Sequence, residues 1–283
     1  MTGHACLVAW AVRDRGRQGC LSVAAGLAAE GGCPVASDDD LAHALAEEAG
    51  ERLLTLRASG AADLGKTGDR LSHEFLMAEL ASARPADAVL SEEGKDDEAR
   101  LKADRVWIVD PLDGTREYGE DGRTDWAVHV ALWERGELTA GAVALPAQGR
   151  VLSTVQPPSI WAAKAGPGAP ESLRILVSRS RAPEFTTRLP GTLVPLGSAG
   201  AKAAAVMCAE ADAYVHDGGQ YEWDSAAPVA VALAAGLHAS RLDGSKLEYN
   251  QRDPYLPDIL MCPAPLAGVL LDAIATARSP ITR

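Results

Sequence analysis

The sequence predicts an antiparallel α+β half followed by a mixed α/β half, and three observations carry that reading. Two stretches with apolar residues at helical spacing open the folded part of the chain. A series of strands separated by tight turns follows them. Beyond Gln156-Pro157-Pro158 the pattern changes to strand alternating with helix.

The elements follow in order. Residues 1–36 hold Gly16, Gly19, Gly26, Gly31, Gly32 and Pro34 and keep no clean period. We read them as a disordered extension; in one version the native start codon lies downstream of Met1, which intact mass would show. Ser37-Asp38-Asp39-Asp40 supplies an N-cap and a first turn of acids, and Leu41, Leu45, Ala49, Leu53 and Leu56 predict a helix over 38–58. Ala58 to Gly68 reads as a glycine-rich loop, Leu71 to Ala83 as a second helix, and Ala88 to Leu90 as a short strand delivering Ser91-Glu92-Glu93-Gly94. Lys95 to Lys102 is a charged, solvated connection.

Val106 to Val109 is a buried strand ending on Asp110, and Pro111, without an N–H, stops the ladder. Asp125 to Trp133 alternates, with Trp126, Val128, Val130 and Leu132 on one face and Ala127, His129 and Ala131 on the other. Leu138–Leu145 and Arg150–Val155 complete an antiparallel meander. In the second half, Leu173–Ser178, Leu193–Leu196, Asp212–Val215 and Asp258–Cys262 read as strands. Ala199–Ala209, a stretch capped by Asp224 and ending at Gly236, and Pro265–Ala277 read as helices. Pro228 falls near a first turn, and Leu242 to Leu247 reads as a hairpin with an Asp-Gly turn. The domains expected are 1–36 as extension, 37–156 as an α+β metal-binding domain and 157–283 as an α/β substrate-recognition domain.

The chain has 283 residues and a formal charge of −12, with 39 acids against 27 bases. That balance argues against a basic face gripping nucleic acid. No run reaches the ~18 apolar residues of a membrane span, and Ala5–Val12 is too short for a signal sequence and has no basic residues before it. None of the five cysteines are at C-x-x-C spacing, so reduced thiols in the cytoplasm are expected, with Cys208 and Cys262 buried.

The chemistry concentrates in Asp110-Pro111-Leu112-Asp113-Gly114-Thr115. Two carboxylates at a strand end repel unless a cation sits between them, and a divalent ion with oxygen ligands is the usual answer. Gly114 lets backbone approach a ligand, and a helix opened by Thr115 offers N–H groups to an anion. Metal ligands beside an anion seat suit metal-assisted phosphate hydrolysis. Asp69, Glu92 and Asp224 join Asp110 and Asp113 as acids beside ordered elements. For any single acid, a solvated surface position is the commoner outcome. The spacing around Asp110 and Asp113 reverses those odds. His129 and His216 read as structural.

The hexapeptide from Asp110 to Thr115 resembles the D-P-[IL]-D-G-T signature of the inositol monophosphatase superfamily. Trp223-Asp224-Ser225-Ala226-Ala227 resembles its W-D-x-A-A motif, and Ser91-Glu92-Glu93 its [GS]-E-E segment. Ser178-Arg179-Ser180, Gly197 to Lys202 and Gly218 to Asp224 are most similar to its bisphosphate nucleotidase branch. The resemblance implies a layered αβαβα sandwich and two or three Mg²⁺ ions. Glu92, Asp110 and the Leu112 carbonyl would hold one ion, and Asp110, Asp113 and Asp224 a second, with a looser third near Glu92. Gly114 and Thr115 would hold the scissile phosphate together with Asp113. Asp69 and Thr115 would activate water, with Glu92 in the same catalytic group. Ser178, Arg179, Ser198, Lys202 and Asp217 would meet the rest of the substrate, Arg179 and Lys202 holding a second phosphate. The implied reaction removes the 3′-phosphate of a nucleoside bisphosphate or of its 5′-phosphosulfate, in sulfur assimilation. Inositol 1-phosphate or fructose 1,6-bisphosphate is the alternative substrate, and a catalytically idle binder the lower-ranked one. Lithium sensitivity belongs to the resemblance, which also admits a homodimer. Lys66 departs from the family's usual Thr three residues before the position of Asp69; we expect it to face solvent.

Overall fold

The computed structural model describes residues 36–159 and 172–279. The extension read over 1–36 thus lies outside the described residues, apart from Ala36. Helices α1 (Asp38–Ala58) and α2 (Leu64–Ala83) are followed by β1 (Ala88–Ser91), β2 (Arg105–Asp113), α3 (Thr115–Gly119), β3 (Ala127–Glu134), β4 (Glu137–Leu145) and β5 (Arg150–Ser153). The second half runs β6 (Arg174–Ser178), β7 (Thr192–Leu196), α4 (Ala199–Met207), β8 (Ala213–Tyr221), α5 (Glu222–Ala234), β9 (Leu237–Ser240), β10 (Tyr255–Pro263) and α6 (Ala267–Arg278). The first sheet has the order β1-β2-β3-β4-β5 and the second β7-β6-β8-β10-β9.

Three apolar clusters stack these elements in five layers. Leu45, Leu53, Leu76 and Leu80 of α1 and α2 pack on Trp107, Val109, Val128 and Val130, one face of the first sheet. Its other face (Val106, Ile108, Ala127, Ala131) meets α4 and α5 through Ala204, Met207, Ala227 and Val231. The same helices meet Tyr214, Ile259 and Met261 of the second sheet. Its far face, with Val177, Val215 and Leu260, packs on Leu270 and Ile274 of α6. The alternation read in β3 is therefore a two-sided one, with both faces buried. The sheets lie in sequence on either side of the expected division at 156–157.

Several boundaries differ from the sequence reading, each for a local reason. Helix α2 begins at Leu64, inside the expected loop, because Gly65 and Gly68 serve close packing while Gly60 alone makes the turn. A Cβ on Gly68 would come within 2.9 Å of Tyr118 and 3.1 Å of Leu112. Strand β2 runs through Pro111, which falls where pairing with β3 breaks between Asp110 and Asp113 and no ladder N–H is needed. The first sheet is not wholly antiparallel, since β1 pairs parallel to β2. Strand β8 extends nine residues to Tyr221, carrying Gly218 and Gly219 at φ 86° and 75°. Tyr221 rather than Asp224 is the N-cap of α5, and Pro228 lies inside that helix. The Asp-Gly turn forms, with Gly244 N–H donating to Arg241 O at 3.0 Å, but the strand beside it is β9, which pairs with β10.

The connection read as solvated carries a buried arginine. Arg100 donates to Asp96, to Asn250 Oδ1 at 2.7 Å and to Gln251 O at 2.8 Å. It fastens the approach to β2 onto the segment that leads into β10. Cys262 is buried as expected, while Cys208 is half-buried.

Candidate active site

Asp110 and Asp113 are carried by β2, and Asp224 by the first turn of α5. One carboxylate oxygen from each lies within 4.8 Å of the others. Asp110 and Asp113 are buried. The strand end fixes Asp110, whose Oδ1 accepts the Leu112 N–H at 3.0 Å. Asp224 Oδ2 accepts the Tyr221 N–H at 2.7 Å, which orients it across the start of its own helix. Glu92 follows β1, where its N–H reaches Val109 O. Much of its surface is open, yet its carboxyl is hydrogen-bonded to Asp110 and lies deep enough for desolvation to dominate its proton affinity. Burial, joined by mutual repulsion, pushes Glu92 and Asp224 up to about 7 and Asp110 well above the usual carboxylate range.

Asp113 goes the other way. Its carboxylate sits at the entrance of α4, accepting Ser198 Oγ–H at 2.6 Å, Gly200 N–H at 2.6 Å and Ala199 N–H at 3.1 Å. Burial opposes its charge, but His129, Ser198 and the Gly200 amide outweigh that and hold it at about 2. The oxygen-only donor set, three carboxylates crowded within 4.8 Å of one another, fits a hard divalent cation.

His129 stands directly opposite Asp110 in the β2–β3 register and is fully buried. Its Nδ1–H faces the Trp223 carbonyl at 3.1 Å, and its Nε2 lies 3.3 Å from Asp113 Oδ2. Burial disfavours charge on the ring; Asp113 outweighs it and raises the imidazole above its ordinary value. The sequence reading passed over this side chain as structural. The available signal was its place on the face of β3 otherwise occupied by alanines.

Asp69 is one residue past Gly68, so the close packing of α2 on α3 brings it to Thr115. Thr115 Oγ–H has two acceptors, Asp69 Oδ1 at 3.3 Å and Leu112 O at 3.2 Å. Desolvation first, and Glu93 second, push Asp69 up to about 7. Gly114 sits at φ 87°, with Ser198 Cβ 3.1 Å from where a Cβ would lie. Lys66 is exposed, and no ion pair joins it to Asp69.

The residues expected to meet the rest of the substrate are mostly engaged elsewhere. Arg179 is clasped by Glu120, with both distances 2.8 Å, and by Glu117 at 2.8 Å. Lys202 is buried, donates to Ser198 O at 2.7 Å and to Gly197 O, and is drawn down to about 8 by desolvation. Ser198 is spent on Asp113 and on capping α4. The expectation that Arg179 and Lys202 hold a second phosphate thus meets two committed cations. Ser178 Oγ accepts the Arg181 N–H at 3.2 Å, and Asp217 pairs with Arg278 at 3.4 Å.

The model of the inositol monophosphatase family matches residues 23–280. A 3′-phosphoadenosine 5′-phosphate phosphatase from Mycobacterium bovis is 56% identical over 243 residues, 81% of this chain and 90% of the relative. The 3′(2′),5′-bisphosphate nucleotidase CysQ of Escherichia coli is 30% identical over 199 residues, 66% of this chain and 80% of the relative. The crystal structure of CysQ from Bacteroides thetaiotaomicron matches with TM-score 0.64 and 26% identity, covering 79% of this chain and 96% of that one. With the five-layer fold and the acid cluster between its sheets, the chain belongs to the inositol monophosphatase family.

Proposed function

We propose that this chain is a magnesium-dependent phosphatase that removes the 3′-phosphate of 3′-phosphoadenosine 5′-phosphate, giving AMP and inorganic phosphate. The observation that carries the reading is the convergence of Asp110, Asp113 and Asp224, in a chain 56% identical to a phosphatase named for that substrate. Asp110, Asp113 and Asp224 would hold one ion, and Asp110, Glu92 and the Leu112 carbonyl another. Bound magnesium would neutralise the phosphoryl oxygens and lower the proton affinity of the attacking water.

The chain's own residues do the rest. Asp69, poised near neutrality by desolvation, takes the proton of the attacking water. Thr115 holds Asp69 in place and fixes the Leu112 carbonyl through the same hydroxyl. Gly114, at a left-handed φ of 87°, lets Ser198 pack against the turn where the scissile phosphate would be held. His129 and the α4 entrance keep Asp113 ionised and aimed. Removal of phosphate from this nucleotide fits a role in sulfur assimilation, including action on the 5′-phosphosulfate. A cytoplasmic setting accords with the unpaired Cys208 and Cys262; no helix among the described residues is long and apolar enough to cross a membrane.

The test is phosphate release by the pure protein with Mg²⁺ from three substrates: the adenosine bisphosphate, inositol 1-phosphate and fructose 1,6-bisphosphate. The bisphosphate should lead in kcat/KM. A tenfold lead for either sugar phosphate, about 1.4 kcal/mol of barrier, overturns the substrate assignment.

A further inference from the structure

Glu92 follows β1 in the first half of the chain, Asp224 lies in the first turn of α5 in the second, and their carboxylates repel each other. Before a cation arrives, their convergence has to come from the protein. This inference rests on the cation reading above and not on the choice of substrate.

One buried polar chain runs from the neighbourhood of one acid to that of the other. Four residues past Glu92, the Asp96 carboxylate accepts Arg100 Nε–H at 2.7 Å and Nη2–H at 3.0 Å. Arg100, 1% exposed, crosses to the second half, where Nη1 donates to Asn250 Oδ1 at 2.7 Å and Nη2 to Gln251 O at 2.8 Å. Asn250 Nδ2 donates back to Arg100 O at 3.2 Å. The Asn250 backbone sits at φ 60°. Its N–H and that of Gln251 both donate to Glu222, one to each carboxylate oxygen, at 2.7 Å. Glu222 is 1% exposed and stands two residues before Asp224. Its own N–H donates to Pro254 O at 2.8 Å, and Ser225 Oγ lies 3.2 Å from Tyr249 Oη, so residues 249–254 wrap the first turn of α5. Where cohesion alone is needed, apolar side chains supply it without the desolvation of a buried arginine and a buried glutamate. Directional hydrogen bonds add a fixed distance and angle.

We infer that Asp96, Arg100, Asn250 and Glu222 form a strut that positions Glu92 against Asp224, so that the cation seat is shaped before the cation binds. The four are positioning residues: they act through the two acids. Removing a group that orients metal ligands typically weakens the metal ~10- to 100-fold.

The experiment titrates chelator-stripped protein with Mg²⁺ alone, followed by calorimetry, with no substrate and no turnover. Glu222→Gln cuts the strut at the α5 end, because an amide nitrogen then faces a backbone N–H. Asp96→Ala cuts it at the Glu92 end, where the side chain is 36% exposed and its loss endangers the fold least. Ile274→Val, in α6 on the far face of the second sheet, is the control that weakens the fold without touching the strut. The Mg²⁺ dissociation constant should rise ~10- to 100-fold in Glu222→Gln and more than twofold in Asp96→Ala, and hold in Ile274→Val. A merely structural network would lower Tm in all three and leave the constant alone. A constant within twofold of wild type in Asp96→Ala, or in folded Glu222→Gln, overturns the strut, as does equal weakening in Ile274→Val. If Glu222→Gln does not fold, Asp96→Ala decides. A wild type that takes up no Mg²⁺ overturns the cation reading and the strut together; a wild type that binds Mg²⁺ while the variants match it overturns the strut alone.

Discussion

Asp110 and Asp113 are three residues apart on one strand and behave oppositely, because their neighbours differ. Asp113 has the α4 entrance, Ser198 and His129 to support its charge. Asp110 has Glu92, Asp113 and Asp224 to oppose it. Asp110→Asn should therefore abolish turnover and yet stabilise the chelator-treated protein at pH 8, by at least ~1 kcal/mol or ~2–4 °C in Tm. Thermal melts in chelator check this, and a lower Tm than wild type would contradict it. Asp113→Asn should also end turnover, but at a cost to the fold, because an amide nitrogen would face the α4 donors. His129 offers a subtler change. It braces Asp113 from one side and the Trp223 carbonyl, next to Asp224, from the other. His129→Asn should raise the Mg²⁺ concentration for half-maximal activity ~10- to 100-fold, the usual effect of losing a group that orients a metal ligand. Mg²⁺ titration of initial rates reads it out.

At the scale of elements, the motif that carries the acids was legible in the sequence because its spacing is local: Asp110 to Thr115 is one strand end and the turn after it. Helix α1 was equally legible, since Ser37, the acid-rich first turn and the leucine spacing all point to the same boundary. What stayed hidden depends on contacts distant in sequence. Gly65 and Gly68 look like loop residues until Thr115 and Tyr118 are packed against them, and Arg100 looks solvated until Asn250 arrives. The engagement of Arg179 by Glu117 and Glu120 was hidden in the same way. The α2 contact makes a prediction. In an isolated helix Gly68→Ala would gain ~1 kcal/mol; here the added carbon meets Tyr118 and Leu112, whose carbonyl anchors Thr115. The variant should lose ~1–3 kcal/mol by denaturant melts, as overpacking does. Its kcat should fall as α2 and Asp69 are pushed away from Thr115.

For the whole molecule, the acid cluster joins the two halves. Asp110 and Asp113 belong to the first sheet, and Asp224 to the helix that follows β8 of the second. Without a cation the fold must gather like charges there, and the sign of the consequence follows from proton linkage. Asp69, Glu92 and Asp224 rise in the folded protein from their ordinary values near 4 to about 7, so between those limits the folded state binds more protons than the unfolded one. Stability in chelator should therefore fall as pH rises from about 4 to 7, and Asp110, also raised, adds to the fall. Mg²⁺ binds the same carboxylates when they are ionised, so it should act mainly at the upper end of this window. At a hundred times its dissociation constant a ligand of the folded state adds about 2.7 kcal/mol, which for a chain of this size is ~5–11 °C in Tm. Melts at pH 5 and pH 8, each with chelator and with Mg²⁺, check the whole argument. A large Mg²⁺ shift at pH 8 and a small one at pH 5 is expected, and Asp110→Asn should lose most of it. Equal shifts at both values, or a shift that survives in Asp110→Asn, would place the cation somewhere other than between the two sheets.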